Sequence, residues 1–138
     1  MYAVRYLPLA GRLLVGLPFA MSGFAKVVAY GPTIQMIGAV GLPFPALAFA
    51  VAVAVELGGG LLLIAGLRVR PVAIALALFS LAAAAFFHAN FADQNQMIHF
   101  LKNVMIAGGL LQIAAFGAGA FSIDNRRASG ASPVAQPL

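Results

Sequence analysis

Three polar side chains, His99, Lys102 and Asn103, open a run from Met97 to Phe121 that is apolar almost throughout. Their i,i+3 and i,i+4 spacings place them on one helical face. A cation inside a membrane span costs roughly 2.5–3.5 kcal/mol on insertion scales and is rarely left facing lipid. This face is therefore expected to meet a neighbouring helix or a ligand. Glu56 interrupts a second apolar run and precedes Gly58-Gly59-Gly60, and His88 stands near the end of a third. A layer of Glu56, His88, His99, Lys102 and Asn103 would combine donors for a carbonyl oxygen with a titratable carboxylate between apolar walls. That chemistry suits a quinone or a similar aromatic carbonyl compound. The competing reading of Glu56 is a structural ion pair with the Lys102 level.

Other chemistries are less well served. Two histidines on neighbouring helices can ligate haem iron, but no haem-attachment motif accompanies His88 and His99, and one pair is a thin metal site. Haem is disfavoured and no metal is predicted. The absence of cysteine removes thiolate nucleophiles, Fe–S ligands and dithiol relays. Electrons, if handled, must travel on a bound or diffusing cofactor, and quinone is the candidate. Ser22 and Ser80 have no nucleophile motif around them.

These side chains need elements to hold them. Of the 138 residues, 63% are hydrophobic and 8% charged, against about a quarter charged in a soluble domain. An integral membrane protein follows. The formal charge of +5 is scattered over span ends and forms no patch for nucleic acid. The patterning predicts an all-α chain, a four-transmembrane-helix bundle with spans at about 5–28, 45–67, 71–91 and 97–121. In the first, Arg12, Gly16, Phe19, Gly23 and Lys26 share a face that should point into the bundle. Residues 29–45 are too short and broken to span. Gly31-Pro32 should end the first helix and Thr33 should cap a short interfacial helix through about Val40. Residues 1–124 form the transmembrane domain, and 125–138 read as a disordered cytoplasmic tail.

Four spans place both termini on one side, with Arg5, Arg68, Arg70, Arg126 and Arg127. The 92–96 connection opposite has no Lys or Arg. Positive-inside therefore predicts cytoplasmic termini in a bacterial inner membrane. With a ~30 Å hydrocarbon core and a 1.5 Å rise per residue, Lys102 lies roughly 8 Å, Glu56 about 16 Å and Arg12 about 22 Å below the outer surface.

Several stretches together resemble the DoxX family of small four-helix membrane proteins. They are GRLLVGLPFAMSGFAKV at 11–27, LPFP at 42–45, VELGGGLLLIAGLRVRPVA at 55–73, His88, HFLKNVMIAGGLL at 99–111 and GAGAFSID at 117–124. The resemblance implies that Arg12, Ser22, Gly23, Lys26, Glu56, His88, Lys102 and Asn103 belong to a shared pattern, with Arg12, Ser22 and Lys26 in structural or secondary roles. Relatives include a membrane subunit of a thiosulfate:quinone oxidoreductase, and others are associated with catechol, quinone or oxidative stress. The expectation is a quinone-linked redox component working with a partner subunit. If it is an enzyme, it is the membrane subunit of a quinone-dependent oxidoreductase. The alternative is a non-enzymatic membrane protein that binds a protein partner or a small apolar ligand, and the oligomeric state stays open.

Overall fold

The computed structural model describes residues 3–130, and the described chain is helical throughout, with no strands. A 3-10 turn, Ala3–Tyr6, leads into α1, Leu7–Val28. α2 spans Tyr30–Ala39. α3 spans Pro45–Ala65, α4 Val69–Phe87 and α5 Gln94–Phe116. A short α6, Ile123–Gly130, follows. α1, α3, α4 and α5 are each long and apolar enough to cross a membrane.

Several boundaries differ from the sequence reading. α1 ends at Val28, before Gly31-Pro32, because Ala29 breaks from helical geometry. Pro32 then falls in the first turn of α2, where its missing N–H costs nothing. Thr33 does not cap α2. Its hydroxyl donates back to the Ala29 carbonyl at 2.7 Å and ties α2 to the end of α1. The polar residues 94–96 form the first turn of α5, and Asp93 accepts from the Asn95 amide at 2.8 Å as its N-cap. Residues 123–130, most of them assigned above to a disordered tail, are helical. The rest of that tail, 131–138, lies outside the described residues.

Two helix pairs make the bundle. α1 lies against α3 at glycine distance: a Cβ on Gly23 would stand 2.5 Å from the Leu57 amide nitrogen, and one on Gly60 would stand 2.6 Å from that of Ala20. α4 packs along α5. The pairs meet at the end of the bundle that carries Ala3 and Gly130, where Leu63, Val69, Ala73, Leu76, Ala77, Ala107 and Leu110 form a dry core. Toward the other end, under α2, they separate.

Polar groups lock the terminal end. Arg12, predicted to face the bundle, is fully buried and donates to the carbonyls of Leu63 at 3.0 Å and Ile64 at 3.1 Å, and to that of Phe121. The Leu63 and Ile64 carbonyls belong to the last turn of α3, where a helix runs short of internal donors. Gly66, at φ +71°, ends α3 there, and a Cβ would meet that of Ser122 at 2.5 Å. Asp124 accepts from the Arg68 and Val69 amides at 2.8 and 2.9 Å, capping α4 from a distant part of the chain.

Candidate functional site

α3 is not a regular helix. Residues Ala54–Gly58 form a π turn, the wider winding that inserts one extra residue and recurs at functional sites. Glu56 is in its middle and 5% exposed. The adjoining glycines bring α1 close enough for its side chains to reach the carboxylate. Lys26 Nζ lies 2.7 Å from Glu56 Oε2. The Ser22 hydroxyl donates to Glu56 Oε1 at 3.1 Å, and Lys26 donates to Ser22 Oγ at 3.0 Å. The three side chains form a closed ring that offsets the desolvation of the buried carboxylate.

The Glu56 partner is therefore Lys26, a correction to the pairing expected with Lys102. Depth along the membrane normal favoured Lys102. The close approach of α1, permitted by Gly23 and Gly60, brings Lys26 nearer. Lys102 is exposed on α5, and Asn103 is half-buried with its amide donating to the His99 carbonyl at 3.0 Å.

The ring forms one wall of a cavity of about 510 Å³ between the two helix pairs, within the usual ~300–1,000 Å³ of a small-molecule site. Phe19, Ser22 and Lys26 of α1, Thr33, Met36 and Ile37 of α2, and Ala52 and Glu56 of α3 line it. From the facing pair come Phe79, Ser80, Ala83, Phe86 and Phe87 of α4, with His88, and Asn103 of α5. The level of Ser80 follows from helix geometry. Gly59 packs against Leu76, its Cβ position 3.1 Å from the leucine side chain. α3 and α4 run antiparallel, so one turn toward α2 brings Glu56 on one helix and Ser80 on the other to the same height. Ser80 is 1% exposed and its hydroxyl has no partner among the described residues. An unpaired buried hydroxyl typically costs about 1–3 kcal/mol.

Of the predicted site residues, Glu56, His88 and Asn103 meet at this cavity, while His99 and Lys102 do not line it. His88 Nδ1 pairs with Gln96 Oε1 at 2.8 Å, and its ring stacks on His99 with centroids 5.0 Å apart. Stacked faces are a packing geometry, whereas ligation uses ring edges. Ser22 and Lys26, placed above in secondary roles, stand on the cavity wall itself. Ser80, set aside for want of a nucleophile motif, is also there, and only its depth in the third span hinted at this. Among the described residues no three His, Cys, Asp or Glu side chains gather as a metal group.

Four apolar spans enclosing a cavity with a partly buried ion pair define a small polytopic membrane protein with an internal pocket. The DoxX profile matches residues 7–89, and the chain belongs to the DoxX family. It is 37% identical over 116 residues to the inner membrane protein YqjF of Escherichia coli K12, an alignment covering 84% of this chain and 88% of that protein. It is 36% identical over 124 residues to the inner membrane protein YphA of the same organism, covering 86% and 88%. With four candidate spans, it is a multi-pass inner membrane protein. No solved structure matches the chain significantly. The family match contains Arg12, Ser22, Lys26, Glu56 and His88, and stops before Lys102 and Asn103.

Proposed function

We propose that this protein binds a quinone-like aromatic carbonyl compound in the cavity beneath α2, as the quinone-binding membrane component of a redox pathway whose electrons pass through a partner subunit. The observation that carries this reading is the donor count at Lys26. An ammonium has three N–H donors. Among the described residues Ser22 accepts from one of them at 3.0 Å, while Glu56 is held as an ion pair at 2.7 Å with no hydrogen bond to its Oε2, so donors remain for a ligand oxygen in the cavity that Lys26 lines. The Glu56 charge balances that of Lys26, so the site suits a neutral acceptor oxygen rather than an anion. The walls supply aromatic and aliphatic surface from Phe19, Phe79, Phe86 and Phe87. Asn103 offers a further polar contact on the facing pair.

Titration of the detergent-solubilised protein with a short-chain quinone tests this. Lys26→Ala should weaken binding at least about tenfold, equivalent to ~1.4 kcal/mol, while Lys102→Ala should leave it unchanged. Undetectable binding to the unmodified protein, or an equal loss in both variants, would sink the proposal.

A second reading, a non-enzymatic binding or assembly protein, draws on α5. Only Ala107 and Leu110 are buried along its length, and its Lys102 side is exposed. A lipid-exposed cation is the kind of group a membrane partner would cover. Co-purification of a partner that Lys102→Ala releases, in a protein that binds no quinone, would favour it.

A further inference from the structure

A second, smaller hollow lies at the terminal end of the bundle, on the opposite side of the dry core from the cavity. It has a volume of about 220 Å³, and Leu7, Pro8, Gly11, Ile113 and Phe116 give it largely apolar walls between α1 and α5, with Gln112 the one polar side chain among them. The 117–121 segment passes over it. Gly119 packs on Pro8 so closely that a Cβ would lie 2.5 Å from the proline ring. Two guanidinium groups flank this segment. Arg70 stands 3.6 Å from the Cβ position of Gly117, and Arg5 stands 5.9 Å from the centre of the Phe121 ring.

Among the described residues no acid is ion-paired with these arginines. Both oxygens of Asp124, the acid of this end, already accept backbone amides at the start of α4. Arg70 is exposed and has no ion pair or hydrogen bond among the described residues. Arg5 precedes α1, Arg70 is in the first turn of α4 and Gly117 follows α5, so all three stand at the level where spans meet headgroups. Charge complementarity over an apolar groove at that level selects one occupant. We infer that the α1–α5 groove binds an anionic phospholipid, its phosphate between Arg5 and Arg70 and one acyl chain against Leu7, Gly11, Ile113 and Phe116. Basic sites between membrane helices recognise anionic headgroups in this way. The inference is independent of the quinone reading, because it uses a different hollow at the other end of the bundle.

Native mass spectrometry of the delipidated, detergent-solubilised chain tests it, with phosphatidylglycerol, phosphatidylcholine and inorganic phosphate as separate probes. Phosphatidylglycerol should bind at least about tenfold tighter than phosphatidylcholine, and Arg70→Gln should remove about fivefold of that preference. Gly11→Leu supplies a steric arm. Gly11 lines the groove and a Cβ there meets nothing within 4 Å, so the larger side chain should occupy groove space and reduce binding of both lipids. Arg126→Gln, on α6, should change little. Equal binding of the two lipids, equal losses in Arg70→Gln and Arg126→Gln, unchanged lipid binding in Gly11→Leu, or phosphate binding as tightly as phosphatidylglycerol would each overturn the site.

Discussion

Glu56 can be carried at the middle of a span because two neighbours on α1 answer it. A buried pair that loses one partner typically costs about 3–5 kcal/mol. Lys26 keeps 29% of its side chain exposed, so the cost here should be smaller. Glu56→Gln is expected to destabilise the detergent-solubilised protein by about 1–3 kcal/mol. Glu56→Gln with Lys26→Met should recover part of that loss, since no unpaired charge remains. Glu56→Gln with Lys102→Met should be additive, because Lys102 stands on an exposed face of α5. Thermal melting of the two double mutants decides between them. Coupling to Lys102 in place of Lys26 would mean that the ring around Glu56 does not form.

For the helices, backbone separation decides what each glycine does. Gly23 and Gly60 are obligatory because the atoms a Cβ would strike are backbone atoms of the facing helix, which cannot turn aside. Gly23→Ala should force α1 from α3, separate Ser22 and Lys26 from Glu56, and lower stability by about 1–3 kcal/mol or more. Gly108→Ala is the contrast. A Cβ at Gly108 meets nothing within 4 Å, and alanine is the better helix former by roughly 0.8–1.0 kcal/mol in water. It should be neutral or stabilising. Equal losses in the two variants, read by melting, would show that α1 and α3 are not held at this distance. The π turn belongs to the same scale. Its extra residue shifts the register of the helix at Glu56, which no hydrophobic pattern announces.

For the molecule as a whole, charge asymmetry becomes orientation. Arg5, Arg68, Arg70, Arg126 and Arg127 share one end with the termini, while the cavity, α2 and the 88–93 connection occupy the other. Positive-inside then predicts a cytoplasmic dry core and a cavity in the outer half of the bilayer. A cysteine at Asn95, in the first turn of α5, should react with an impermeant maleimide in intact cells. One at Ser129, on α6, should react only after lysis. The reverse pattern would turn the molecule over and place the cavity on the cytoplasmic side.

Span number, helical class and the buried face of α1 were legible in the sequence because they follow from local composition and the 3.6-residue period. Of Arg12, Gly16, Phe19, Gly23 and Lys26, expected to face inward, Arg12, Gly16 and Gly23 are buried, and Phe19 and Lys26 are half-buried on the cavity wall. Glu56 stood out in the sequence because an acid in the middle of a span has few roles. Its partner was not recognisable. Depth estimates place residues along the membrane normal but not around the bundle, and by rise alone Lys26 falls near the outer surface, farther from Glu56 than Lys102 does. The choice belongs to helix pairing, α1 on α3 and α4 on α5, which brings Lys26 to the carboxylate and leaves Lys102 on an outer face. The same pairing opens a cavity where the pairs diverge, which puts His88 and Asn103 on its wall and His99 and Lys102 beyond it. Pairing is a matter of backbone distance between segments remote in sequence, and only the tertiary structure decides it.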